Sequence, residues 1–116
     1  MKKNIIKDKS FQFSIKIVEI YKFLTIESKE FVMSKQLLRA GTSIGANVRE
    51  AEHAESKADF IHKMSISLKE ANETEYWLDL LKETGYLTVS QYENMKNEIN
   101  ELLRILISIV KSSKNS

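Results

Sequence analysis

Apolar residues recur every three or four positions along almost the whole chain, and the phase of that recurrence breaks in three places. A repeat of this period gathers apolar side chains on one side of an α-helix, so the pattern predicts four helices. The first is expected from a cap at Ser10 to about Thr25, with Phe13, Ile17, Ile20, Tyr21 and Leu24 inward and Phe11, Ile15 and Val18 widening that face. The second is expected from Ser28 as N-cap to about Ala54, with Met33, Leu37, Ala40, Gly41, Ile44, Val48 and Ala51 inward. Ser56 and Asp59 have capping-box spacing at the start of the third, with Asp in place of Glu. Its inner positions are Ile61, Met64, Leu68, Ala71, Leu78 and Leu81, and it ends near Thr84 with Gly85 as a left-handed cap. Thr88 or Ser90 caps the fourth, whose inner face is Tyr92, Met95, Ile99, Leu102, Leu106 and Ile109.

The second helix organises the rest, because Gly41 and Gly45 stand four apart on or beside its apolar face. Each glycine costs a helix interior about 1 kcal/mol relative to alanine, and close approach of a neighbouring helix would offset that loss. The alternative is a kink or break at Gly41 and Thr42. Four stripes joined by short turns are buried most simply in an all-α, up-down-up-down antiparallel four-helix bundle. The expected organisation is a flexible basic arm over 1–9, the bundle over 10–112 and a flexible tail over 113–116.

Composition supports this picture. The 116 residues include no proline and only three glycines, too little punctuation for a sheet-rich fold. Without cysteine the chain has neither disulfides nor thiolate ligands, which suits a reducing, cytoplasmic setting. The longest apolar run, Ile105 to Val110, is too short to cross a bilayer, so no membrane role is expected. A formal charge of +2 is mild for a dedicated nucleic-acid binder. Apolar residues exceed what one stripe per helix requires, with Leu103, Ile105, Ile107 and Val110 off the main face of the fourth helix and Ile66, Trp77 and Leu80 off that of the third. Such a surplus is expected of a self-associating chain.

No catalytic residue, cofactor or metal is expected. Glu50 and His53, and Asp59 and His62, each have Glu/Asp-x-x-His spacing, which in a four-helix bundle raises a di-metal carboxylate site. At that end of the bundle, however, Phe11 to Ile15 and Leu106 to Val110 offer no carboxylate to complete it. Gly41 to Gly45 lacks the lysine and preceding strand of a phosphate loop, and no spacing selects a nucleophilic triad. A polar line of Ser43, Asn47 and Glu50 runs beside the apolar face of the second helix, facing Ser67 and Glu70 of the third. Asn47 is expected to reach Ser67 or Glu70 and so set the register of helices or subunits. Lys35, Arg39 and Arg49 recur on the outer side of the second helix, with Lys57 and Lys63 next door, and are the candidates for phosphate contacts.

The run from Leu37 to Glu50, LLRAGTSIGANVRE, resembles the signature of the four-helix-bundle proteins encoded in intervening sequences of bacterial 23S rRNA genes. Asp59-Phe60-Ile61, Ser67-Leu68-Lys69-Glu70 and Gly85-Tyr86-Leu87 fall where that family has similar residues, and the likeness covers about residues 10 to 112. Where the family often has glycine and proline, this chain has Ala51 and Gly45. The resemblance implies a closed homo-pentamer. Through the related accessory proteins of diversity-generating retroelements, it also implies a link to nucleic acid. The combined expectation is a non-catalytic scaffold that associates with RNA, DNA or a ribonucleoprotein through a basic surface, the alternative being a protein-protein adaptor.

Overall fold

In a computed structural model of the chain, residues 2–116 are described, with side chains from residue 5 onward. Four helices follow one another: α1 (Lys2–Ile26), α2 (Met33–Glu52), α3 (Lys57–Glu83) and α4 (Val89–Lys114). Each packs on its sequence neighbours, and α1 meets α4 less extensively to close an antiparallel up-down-up-down bundle, 46 × 21 × 21 Å overall. The core is one layer of apolar side chains along the axis, with Phe13, Ile17, Leu37, Ile44, Leu78, Leu81, Ile99 and Leu106 all shielded from water. Burying each such side chain is worth about 1.5–3 kcal/mol.

The boundaries differ from the expectation at three points. Helix α1 starts at Lys2 and runs through Ser10, because Ile6 continues the inward stripe and is fully buried. Of the arm expected over 1–9, residue 1 and the side chains of 2–4 lie outside the described residues. Helix α4 continues to Lys114, into the expected tail. Between α1 and α2, Ser28 is not a cap. Lys29 takes a left-handed conformation (φ 56°), and Glu30 folds back over the first turn of α2. Its carboxylate accepts from the backbone N–H of Val32 at 3.1 Å, Met33 at 3.0 Å and Ser34 at 2.7 Å. Those are donors that a helix start leaves without intrahelical partners.

The other turns follow ordinary cap chemistry. The hydroxyl of Ser56 accepts from the Asp59 N–H at 3.0 Å, and Gly85 turns the chain after α3 with φ 85°. Thr88, not Ser90, caps α4, in a reciprocal capping box with Gln91. Helix α2 runs unbroken through both glycines, and the neighbour they admit is α1. A Cβ built on Gly41 would stand 2.7 Å from Ile17 Cγ1, and one on Gly45 would stand 3.3 Å from the Ser10 carbonyl oxygen.

Candidate functional site

The edge of α2 turned toward α3 carries Arg39, Ser43, Asn47 and Glu50 one turn apart, and it faces Lys63, Ser67, Glu70 and Glu73 on α3. Only one of these side chains is fully buried: Ser67 donates its hydroxyl to the Ile44 carbonyl at 2.9 Å, joining α3 to the α2 backbone. Arg39 spans the exposed half of the seam, donating to Glu70 at 3.1 Å and also to Glu73. Glu73 in turn accepts the Trp77 indole N–H at 3.0 Å. That bond, followed by Arg39, holds the Glu73 carboxyl below the usual carboxylate range, and Glu73 keeps the Arg39 guanidinium charged. Asn47 does not cross to α3. Its amide donates to the Ser43 carbonyl at 2.8 Å within α2, while Ser43 donates to the Arg39 carbonyl at 2.7 Å. A helix interior offers such i−4 carbonyls to short polar side chains, and this local partner outcompetes the distant one.

The five candidate cations do not form one free surface. Arg39 is held by two carboxylates, and Lys63 pairs with Glu50 at 2.9 Å, which raises its pKa. Lys57 reaches the Ser116 carbonyl oxygen at the far end of the chain. Arg49 lies over the Phe11 ring, 4.9 Å from its centroid, and so links α2 to the outer side of α1. Among the described residues no carboxylate pairs with Lys35 or Arg49.

A second polar cluster, which the linear pattern did not single out, joins α3 to α4. Lys96 donates to Glu75 at 2.8 Å and Asp79 at 2.9 Å, and the Tyr92 hydroxyl donates to Asp79 at 2.7 Å. Burial pushes the Asp79 carboxyl up, but Tyr92 and Lys96 outweigh it and hold the carboxyl low. The i, i+4 pairs Glu75 with Asp79 and Tyr92 with Lys96 were visible, but nothing in the sequence says that the two pairs face each other.

The apolar surplus is only in part where it was expected. Val110 belongs to the core, and Trp77, Leu103 and Ile105 lean against the core, whereas Ile107 is half exposed. The clearer exposed stripe is on α1, where Phe11, Ile15 and Val18 are 47%, 40% and 36% exposed. They turn outward instead of widening the inner face. Among the described residues no cluster of His, Asp and Glu could hold a metal ion, and no helix is long and apolar enough to cross a membrane.

The family model described as 23S rRNA-intervening sequence protein matches residues 2–108. A crystal structure of a protein with unknown function from the S23 ribosomal protein family of Bacteroides thetaiotaomicron is 63% identical. It superposes with a TM-score of 0.94, covering 96% of this chain and 99% of that one. Among curated proteins none matches the chain.

Proposed function

The chain belongs to the 23S rRNA-intervening sequence protein family, and from that premise we propose that it is a non-catalytic scaffold assembled from several copies of itself. One observation carries this reading: Phe11, Ile15 and Val18 form an outward apolar stripe on a helix whose opposite side already fills the core. Contiguous apolar surface of this kind favours association, because each Å² of it removed from water contributes about 25 cal/mol. By family resemblance the assembly is a closed ring of five. Light scattering at micromolar concentration is expected to give a multiple of the 13.4 kDa chain mass. Ile15→Glu is expected to shift the particle toward monomer while the helical circular-dichroism signal stays unchanged. A wild-type monomer would sink the reading.

A second element of the reading is contact with RNA, favoured by Lys35 and Arg49, whose charges no carboxylate of the described residues offsets. Two cations in one copy attract a phosphate chain weakly, whereas the same two repeated in every copy bind it multivalently. Labelled RNA titrated at several salt concentrations is expected to bind with an affinity that falls steeply as salt rises. The double variant Lys35→Ala with Arg49→Ala is expected to flatten that dependence. Absence of binding at low salt would leave a protein-protein adaptor in its place.

A further inference from the structure

The end of the bundle that carries the 27–32 and 84–88 turns presents apolar side chains to water. Ile26 closes α1, Phe31 and Val32 lead into α2, and Val89 opens α4, so the antiparallel topology brings all four to one end of the 46 × 21 × 21 Å body. Val32 is 74% exposed, Val89 62%, and Ile26 and Phe31 60% each, which makes them the four most exposed large apolar residues among those described. Side chains this exposed stand out from the surface instead of lining a groove. They are also held in place. Glu30 binds the N–H groups of Val32, Met33 and Ser34, and the buried Ser34 hydroxyl donates back to the Glu30 carbonyl at 2.7 Å, so the turn presents Phe31 and Val32 in a fixed position. A partner need not order the turn in order to bind it.

Lysines surround the α1–α2 half of this end. Lys22 lies one turn before Ile26, Lys29 lies in the turn itself and Lys35 lies in the first turn of α2; all three are exposed, and among the described residues no carboxylate pairs with them. Glu27 is the exposed acid of that turn, since Glu30 is folded onto backbone donors. Around the other turn Lys82 pairs with Glu83 at 3.3 Å, and Glu93 lies one turn below Val89. The excess positive charge therefore sits beside Phe31 and Val32. Lys29 holds it there with φ 56°, a left-handed conformation that glycine or asparagine adopts more readily.

We propose that this end docks on the surface of an anionic lipid bilayer, with Ile26, Phe31, Val32 and Val89 among the acyl chains and Lys22, Lys29 and Lys35 against the headgroups. Among the described residues no helix is long and apolar enough to cross a membrane, and surface docking needs none. Lipid fits this end better than other partners do. A fluid bilayer closes around protruding side chains, whereas a folded protein needs a complementary shape to receive them. Unpaired RNA bases stack on aromatic rings, and three of the four residues are aliphatic. A second copy set end to end would bring the lysines against one another. Each copy carries the whole surface, so docking is independent of self-association.

Co-sedimentation of the whole chain with vesicles at low salt tests this docking. The chain is expected to pellet with vesicles of mixed phosphatidylglycerol and phosphatidylcholine, and to stay in solution with phosphatidylcholine alone. The double variant Phe31→Ser with Val32→Ser is expected to weaken binding about tenfold or more, with the fold intact because the Val32 N–H still reaches Glu30. Ile107→Ser, at a half-exposed position toward the other end, is expected to change nothing. Lys29→Gly suits the left-handed backbone, so it keeps the fold, and loss of its cation is expected to weaken binding about fivefold. No pelleting of wild type with the anionic vesicles would overturn the proposal. Pelleting that survives in the double variant would overturn it too, in favour of general attraction of a basic chain. Loss of labelled-RNA binding in the double variant, without vesicle binding by wild type, would assign this end to unpaired nucleotides instead.

Discussion

Gly41→Ala is expected to destabilise the bundle by about 1–2 kcal/mol, although alanine is the better helix former by about 1 kcal/mol. The added Cβ would stand 2.7 Å from Ile17 Cγ1 and 2.8 Å from its Cδ1, inside van der Waals contact. Ile17 is fully buried and β-branched, so it has few rotamers into which to retreat, and α1 must move off α2 instead. Gly41→Leu inserts further carbons where even the first does not fit, and it is expected to cost about 3 kcal/mol or more. For a domain whose total stability is on the order of 5–15 kcal/mol, that is a large fraction. Urea unfolding followed by circular dichroism would measure both. In combination with Ile17→Val, which deletes the Cδ1 atom, Gly41→Ala is expected to lose less than the sum of the two single effects. A Gly41→Ala protein more stable than wild type would mean that α1 does not press on α2 there.

Glu30→Ala carries the next largest expected loss, about 2–3 kcal/mol, because it strips a charged acceptor from three backbone donors at once. Glu30 is only 8% exposed, so water does not replace the carboxylate freely. Burial pushes its carboxyl upward, but the N–H groups of Met33, Ser34 and Val32, together with the Ser34 hydroxyl, outweigh it and hold the carboxyl below its ordinary value of 4.5. The sign follows from linkage. A carboxyl depressed in the folded state adds stability that is fully present above pH 4.5 and is lost as the pH falls through the depressed folded value. Wild type is therefore expected to lose stability in acid more steeply than Glu30→Gln, whose amide keeps one acceptor without titrating. Equal slopes for the two proteins below pH 4.5 would remove Glu30 from the acid response.

Much of the bundle was legible from the spacing of residues. The α2 stripe from Leu37 to Ala51, the caps at Ser56 and Thr88 and the turn at Gly85 were all local matters, settled within a few residues by helical period and backbone preference. Where the expectation failed, two outcomes shared one local signal. Phe11, Ile15 and Val18 extend an apolar run and read equally well as a wider inner face or as an outer stripe. The difference is which neighbours α1 has already met. Nothing in the sequence pattern singled out Glu30. It becomes a buried cap only because Lys29 reverses the backbone and brings the carboxylate over α2.

The polar residues show the same division. Asn47 was expected to reach Ser67 or Glu70, but its amide has a carbonyl within its own helix and donates to that one, while Ser67 bonds to α2 at Ile44. Arg39 was a candidate for phosphate contact on the outer side of α2, and in the bundle Glu70 and Glu73 of α3 pair with it. On its own the chain determined that there would be four helices, roughly where they turn and the main apolar stripe of each, because those depend on neighbours three or four residues apart. Only the folded bundle decided which charges remain uncompensated and which apolar residues still face water. Those depend on rotation and register between helices, which are set by packing such as Gly41 against Ile17, across stretches of chain that no local pattern connects.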